Sequence, residues 1–437
     1  SFVAVGLLMA SDTSRSIVHE SAGAAGASAW RTRLGAAGVR LLGELRGQAV
    51  ATVGLAPPTL VFFQQVSLVG FVANLAAIPL VTLVITPLAL LGAIASPLWS
   101  AGAWVVQQMS AGLAWLAAWP GAVWTVAAAP GWAQSLGLFG AVLLVLPLPW
   151  RLRLIALPLA MPLLLPQPLR PPPGHVELVA VDVGQGTAVL VRTHRHLLVY
   201  DAGPQYARDS DAGQRILLPL LRARGEQRID RLVLSHRDTD HVGGARTLLQ
   251  TGAVRDLLSS LEDGHPLLAL APLQRRCESG QAWAWDGVRF EVLQPPAEAY
   301  GRGRKPNTVS CVLRVQAAGG ASVLLTGDVE RDQEAWLVAS LGPALRSDVL
   351  LVPHHGSKTS STTAFLSSVQ PKLAVVQAGY RNRFGHPAPD VVARYASAEV
   401  TPFESVRCGA WQWRSGQPGQ GECERDAARR YWHHVPP

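Results

Sequence analysis

The sequence predicts a polytopic α-helical membrane domain followed by an α/β domain in which sheet is sandwiched between outer helices. Two observations predict the first part and a third predicts the second. Residues 47–150 contain no Asp, Glu, Lys or Arg; an ordinary soluble domain needs a charged surface, so this stretch belongs in a bilayer. The whole chain of 437 residues is 49% hydrophobic and only 16% charged, against about 25% charged in an average soluble domain. From His175 onward the pattern changes to short apolar runs separated by Gly and Asp turns. Hairpins mixed with βα units read that way in an α/β sandwich.

In chain order, residues 2–10 are an apolar run that begins abruptly, with no initiator Met at Ser1. That reads as the second half of a membrane helix, and the chain as the C-terminal part of a longer protein. Arg15, Arg31, Arg33, Arg40 and Arg46 come next, a cluster that is cytoplasmic under the positive-inside rule. Spans are expected at 49–66, where Pro57-Pro58 would kink or break the helix, at 66–94, at 135–148 and, shorter, at 154–165. The second carries Asn74, Pro79 and Pro87. Prolines and a buried amide at membrane depth are satisfied by a water-filled cavity or by neighbouring helices, so this span is either a pore liner or a kinked packing helix. Trp99, Trp104, Trp115, Trp119, Trp124, Trp132 and Trp150 fall near the expected helix ends, as an aromatic belt does. Placing Arg151 and Arg153 inside sends the chain outward and makes the α/β domain extracytoplasmic. The expected domains are therefore a membrane domain at 1–165, a stiff linker at 166–174 built on Pro166, Pro168 and Pro171-Pro172-Pro173, and an α/β domain at 175–437.

Within that last domain, strands are expected at 176–181, 187–191, 197–200, 232–234, 289–293, 310–315, 323–326, 349–352 and 373–376. Helices are expected near 216–224, 244–249, 328–341, 363–369 and 390–396. The chain's 38 basic and 30 acidic residues divide unevenly: eight and three lie in residues 1–170, leaving 30 and 27 for the rest. That mild excess permits a nucleic-acid partner without requiring one. Cys277, Cys311, Cys408 and Cys423 all lie in the α/β domain and none has Cys-x-x-Cys spacing. They are either two disulfides, with 408–423 the favoured bridge, or buried thiols.

The stretch carrying most chemistry is Ser235-His236-Arg237-Asp238-Thr239-Asp240-His241-Val242-Gly243-Gly244. It succeeds the apolar run 232–234, so two imidazoles and two carboxylates sit at a strand tip. Imidazole with carboxylate suits a borderline or hard divalent ion. Matching groups end later apolar strands: Asp328 after Thr326-Gly327, His354-His355 after Val352-Pro353, and His386 after Arg383-Phe384-Gly385. A lone His or Asp at a strand end is usually a structural cap; several at the same relative place converge on one rim of a sheet. Asp182 and Asp201 are expected to fix turns behind the site.

Together with Asp182-Val183-Gly184-Gln185-Gly186, these motifs resemble the metallo-β-lactamase-fold (αβ/βα sandwich) domain of ComEC-type competence proteins. The run from Leu60-Val61-Phe62-Phe63 through Ala73-Asn74-Leu75 to Ile78-Pro79-Leu80 is similar to that family's competence domain, and Arg429-Arg430-Tyr431-Trp432-His433-His434 to its proteobacterial ending. The resemblance implies a multi-pass bacterial inner-membrane protein for uptake of single-stranded DNA in natural transformation. Its periplasmic domain would take double-stranded DNA as substrate and degrade the strand that does not enter, and the DNA receptor and translocase of the competence machinery would be its partners. It also implies two divalent ions, Mn²⁺ or Zn²⁺. His236, Asp238 and Asp328 would hold one; Asp240, His241, Asp328 and a His of the 354–355 pair would hold the other, with Asp240, His355 and His386 in catalytic roles. The superfamily's usual pattern has His where Asp238 stands and a further first-metal His that has no placed counterpart here, with Asn307 and Ser310 in the neighbourhood. That substitution hardens the first site towards Mn²⁺. Lys358, Arg381 and Arg383 either bind phosphates or form a solvated rim. Two other readings stay open: a non-catalytic DNA guide on the channel, and a hydrolase of another phosphodiester or ester.

Overall fold

The structure is a computed structural model and describes residues 29–301, 305–431 and 433. The expected helix at 2–10, Arg15, Trp432 and His434 lie outside the described residues, as do the side chains of Arg31, Arg33 and Arg40. The chain divides into two compact units, Ser1–Pro168 with Arg222–Gly225, and Leu169–Leu221 with Glu226–Pro437.

The first unit is helical, with Ala29–Phe63, Gly70–Leu80, Thr86–Leu91, Pro97–Ala117, Gly131–Val145 and Ala156–Leu164 as its main elements. Pro57 and Pro58 lie inside Ala29–Phe63, and the helix runs on through them. Pro79 and Pro87 also fall within a continuous helical run, which widens into a π-turn at Val81–Ile85. That turn contains Leu83, whose carbonyl the Pro87 ring would strike in a regular helix. Among the described residues, Gly70–Leu91 is the one helix long and apolar enough to cross a membrane, and its apolar window is unburied. Trp99, Trp104, Trp115, Trp119, Trp132 and Trp150 are exposed.

The second unit packs two mixed sheets face to face. In chain order the strands of these two sheets are β1 (Glu177–Ala180), β2 (Val189–Arg192), β3 (Leu197–Tyr200), β4 (Arg231–Leu234), β5 (Leu257–Ser259), β6 (Gln274–Arg276), β7 (Ala282–Trp285) and β8 (Val288–Gln294). The remaining strands are β9 (Val312–Gln316), β10 (Ser322–Leu325), β11 (Val349–Leu351), β12 (Leu373–Val376), β13 (Phe403–Glu404), β14 (Trp411–Arg414) and β15 (Gly421–Cys423). One sheet runs β6-β5-β4-β3-β2-β1-β14-β15 and the other β7-β8-β9-β10-β11-β12-β13. From β3 to β6, and from β10 to β13, neighbouring strands are parallel.

Period-two alternation explains the layers. Leu178, Leu198, Tyr200, Val233, Val323, Leu325, Val349 and Leu351 point between the sheets and meet Phe290, Trp411 and Trp413. The alternate residues face outward under helices: Val179, Val199, Leu232 and Leu234 with Leu248 and Leu249, and Leu324 and Leu350 with Leu337, Phe365 and Leu366. Strands buried on both faces read as continuous apolar runs. β6, with Gln274-Arg275-Arg276, and β14, with Gln412 and Arg414 between and beside its tryptophans, give no such run, and the sequence does not announce them. The Arg331–Leu341 helix begins at a capping box between Glu330 and Gln333, three residues beyond the expected start at Asp328. That leaves Asp328 free on the preceding turn.

All four cysteines are paired, Cys277 with Cys311 and Cys408 with Cys423. The first bridge joins the end of β6 in one sheet to the start of β9 in the other. Residues after Pro168 are docked on this unit. Arg192, its side chain only 4% exposed, donates to Glu177 at 2.8 Å, Glu226 at 2.8 Å and the Leu169 carbonyl at 3.1 Å, and Arg170 also pairs with Glu226. Removing one partner of such a buried cluster leaves an uncompensated charge. Arg192→Met should therefore lower the stability of this unit by about 3–5 kcal/mol in denaturant titration; a loss under about 1 kcal/mol would mean that the two glutamates are otherwise satisfied.

Candidate metal centre

Four strand tips converge at one end of the sandwich. β4 delivers the loop 235–244, β10 delivers Asp328, β11 delivers His354 and His355, and β12 leads through Gln377 to His386. The loop after β4 can reach its position only because the backbone around it passes very close. A Cβ on Gly244 would meet the Ala202 carbonyl at 2.4 Å, and one on Gly186 the Asp240 carbonyl at 2.3 Å. Two amides clamp the loop: Thr187 N–H donates to the Asp240 carbonyl and Ala202 N–H to the His241 carbonyl. His354 and His355 both hold left-handed backbone, φ 50° and 54°, a strained conformation for non-glycine residues that persists where surrounding structure fixes it.

Asp328, 4% exposed, divides the site. Its Oδ1 lies 3.2 Å from His241 Nε2 and 3.7 Å from His355 Nε2. Its Oδ2 lies 3.6 Å from His354 Nε2 and 3.9 Å from His236 Nε2. Asp240 Oδ2 is 3.3 Å from His355 Nε2, and Asp238 Oδ2 is 3.6 Å from His236 Nε2. The tightest triads are His236, His241 and Asp328, and Asp240, His241 and His355. Asp238, with a side chain 44% exposed, stands at the rim.

These residues fit a divalent ion by three tests. His236 Nε2, His241 Nε2, His355 Nε2 and Asp328 Oδ1 are buried and make no hydrogen bond; His241 and Asp328, though 3.2 Å apart, attract as charges without aligned bonding geometry. Second, two donors sharing an ion at about 2.1 Å stand roughly 3–3.5 Å apart, close to the spacings found. Third, the opposite nitrogens are anchored. His241 Nδ1 is 2.7 Å from Asp201 Oδ2, His355 Nδ1 is 2.7 Å from the Gln377 carbonyl, His236 Nδ1 is 3.0 Å from Ser235 Oγ, and His354 Nδ1 is 3.4 Å from Glu330 Oε1. Those partners place the proton on Nδ1 and turn Nε2 towards the centre.

Asp201 also accepts from the Ser235 amide and hydroxyl at 2.7 and 2.8 Å. Asp182 instead pairs with Arg425 at 3.1 Å and accepts from Gly184 N–H. Ser310 Oγ accepts from the Asp328 amide. His386 stacks against His355, and its Nδ1 is buried without a partner. An open cleft of about 760 Å³ lies beside Asp238 and Asp240, lined also by Gln185, Gln205, Arg237, Asn382, Arg383 and Phe384. Arg383 reaches it; Lys358 and Arg381 are exposed and are not among its lining residues. Sequence reasoning missed Gln377, Glu330, Arg237 and Phe384. Arg237 and Phe384 lay inside recognised motifs without being given a role.

The charges of these groups sustain one another. Burial disfavours the carboxylate of Asp328, yet His241 and His355 outweigh it and hold its pKa well below the usual range. Burial opposes protonation of His241 too, but Asp328 and Asp201 raise it well above an ordinary histidine; His355 is likewise raised, against burial, by Asp328 and Asp240. Asp240 is held at about 2, the His355 ring and the His241 charge overcoming its burial. Burial first, then the neighbouring His355 and His354, lower His386 to about 4, so it is neutral at neutral pH.

Stability then depends on pH with a definite sign. Protonation of His241 and His355 stabilises the metal-free chain fully below the ordinary value of 6.5, and this is lost as pH rises through their raised values. Asp240 contributes above 3.8, and its share is lost as pH falls towards about 2. A divalent ion replaces the imidazole protons, so added Mn²⁺ should raise the melting temperature more at about pH 8 than at about pH 6. A rise that shrinks with pH would argue against these imidazoles as ligands.

Residues 1–152 match the competence protein family and residues 181–380 the metallo-β-lactamase superfamily. The chain is 35% identical over 396 residues to competence protein ComA of Neisseria gonorrhoeae, covering 90% of this chain and 54% of that protein. It is 32% identical over 262 residues to ComE operon protein 3 of Bacillus subtilis, covering 55% and 33% respectively. The chain thus spans about half the length of the gonococcal relative. Among solved structures, it is similar to the metallo-β-lactamase-fold protein YhfI of Bacillus subtilis, with 12% identity and a TM-score of 0.37 over 55% of this chain and 99% of that one. With a competence domain preceding a metallo-β-lactamase-superfamily domain, the chain belongs to the ComEC-type competence proteins.

Proposed function

We propose that this chain serves DNA uptake across a bacterial inner membrane in natural transformation. In this reading a multi-pass domain at 1–165 passes one strand. The α/β domain that follows, whose folded unit begins at Leu169, is a metal-dependent nuclease that degrades the other. The observation that carries the nuclease half is Asp328, whose two carboxylate oxygens face separate imidazole sets. The membrane half is supported by kinship with competence proteins, the uncharged block at 47–150 and the unburied helix Gly70–Leu91. Two disulfides support a periplasmic, oxidising location.

One ion would be held by His236, Asp238, His354 and Asp328, the other by Asp240, His241, His355 and Asp328. His354 thereby supplies the further first-metal imidazole that the family pattern calls for. The carboxylate-rich first set favours Mn²⁺ over Zn²⁺. When bound, such ions supply Lewis acidity and charge neutralisation for displacement at a phosphodiester phosphorus. The chain's own residues do the rest. Arg383 and Arg237, on the cleft wall, attract and orient the phosphates, and the neutral ring of His386 donates a hydrogen bond to a phosphoryl oxygen. An open cleft with arginines suits a polyanion better than a small apolar ester, which a closed pocket would take. The looser placement of Asp238 favours one rival, a non-catalytic guide for DNA travelling to a translocase.

Cleavage of labelled single- and double-stranded DNA by the purified full chain, loaded with Mn²⁺ or Zn²⁺, tests this. Asp240→Ala and Asp328→Ala should each cost more than about a hundredfold in rate. Cutting that survives both substitutions sinks the nuclease reading, and bound metal with no cutting moves the assignment to the guide. His354→Ala should lower bound metal from two ions towards one. Asp201→Asn, which disturbs the anchor of His241, should weaken metal binding about 10- to 100-fold in chelator competition.

A further inference from the structure

A ladder of flat groups climbs from the metal centre to solvent. His355 and His386 stack with ring centroids 6.3 Å apart and planes 21° apart. His386 and Phe384 come next at 5.6 Å and 22°, and the Arg383 guanidinium lies over the Phe384 ring at 4.8 Å. Phe384 is 53% exposed and lines the cleft beside Asp238 and Asp240.

The loop carrying this ring is built rather than loose. Asn382 donates to the Gly379 and His386 carbonyls at 3.0 and 2.6 Å and accepts from His386 N–H at 2.9 Å. Gln185 Oε1 accepts from Gly379 N–H. A tied loop that holds a large apolar ring half in water, at the mouth of a polar cleft, leaves a hydrophobic cost uncompensated within the chain. Packing on His386 accounts for part of the ring but not for its open area. The same loop exposes Tyr380, with Arg381 over its ring at 5.2 Å.

We propose that Phe384 is a base-stacking step. The Arg383 guanidinium leaves that ring for the adjoining phosphate and an unpaired nucleobase takes its place there, fixing the register in which the phosphodiester enters the donor sets around Asp328. This rests on the phosphodiesterase reading and deepens it, naming an unpaired strand as the substrate form and Phe384 as a specificity-determining residue. Stacking requires a free base face, which a duplex does not offer, and it tolerates any base because each has one.

The test reads binding alone, with chelator present so that nothing is cut. Fluorescence anisotropy of the full chain is measured with a labelled oligothymidylate, an abasic strand carrying the same phosphates, and a duplex of the same length. The parent chain should bind the thymidylate about tenfold more tightly than the abasic strand, the order of one base–aromatic stack. Phe384→Leu, similar in size and apolarity, should bring thymidylate down to the abasic level and leave abasic and duplex binding unchanged; Phe384→Trp should retain the preference. An unchanged metal content after reloading shows that each variant is folded. Equal binding of thymidylate and abasic strand by the parent overturns the proposal, as does a Phe384→Leu loss shared by all three ligands. Absence of cleavage in the separate nuclease assay overturns the phosphodiesterase reading without altering this result, so the two failures are distinguishable.

Discussion

The second domain is organised around one buried carboxylate. Asp328 sits between four imidazoles that come from two different sheets, on the loops after β4 and β11. A lone carboxylate there would cost several kcal/mol of desolvation, and so would a lone protonated imidazole. Each is tolerable only in the presence of the others, or of a cation that takes the place of the imidazole protons. The ends of β4, β10 and β11 are therefore constrained by one charge balance.

The sandwich meets that constraint with parallel strands. Because β10, β11 and β12 are adjacent and parallel, their C-terminal ends lie side by side, and β4 contributes the facing loop from the other sheet. The backbone is bent to fit wherever the side chains require it. Glycine is the one residue that allows the 182–187 and 201–213 segments to press against the 235–244 loop. At His354 and His355 imidazole is needed and glycine is not an option, so the chain carries left-handed backbone at two consecutive bulky residues.

Polar groups away from the centre serve placement. Asp201 links β3 to the 235–241 loop through bonds to Ser235 and His241. Gln377 both accepts from His355 and donates to the Val181 and Ala188 carbonyls, and Arg192 gathers Glu177, Glu226 and the chain entering the domain. The proline-rich stretch reads in sequence as a spacer of 166–174. From Leu169 it is instead part of the folded unit, with His194 bonding the Pro171 carbonyl and Gly174 the Asp286 carbonyl.

The sequence by itself determined what depends on local pattern. An α/β sandwich could be read from apolar runs buried on both faces, and the concentration of His and Asp at strand tips from residue types next to those runs. Thr363–Val369 was legible as a helix to the residue because its pattern is local. Tertiary structure alone decided how the donors group. The family resemblance put His236 and His241 in separate sets that share Asp328, and only folding brings both rings within reach of that one carboxylate. It also separated two adjacent histidines, sending His354 to one oxygen of Asp328 and His355 to the other, a division made by backbone dihedrals that no spacing encodes. Gln377 and Glu330 were illegible for the same reason: each meets a histidine brought close only when distant strands align.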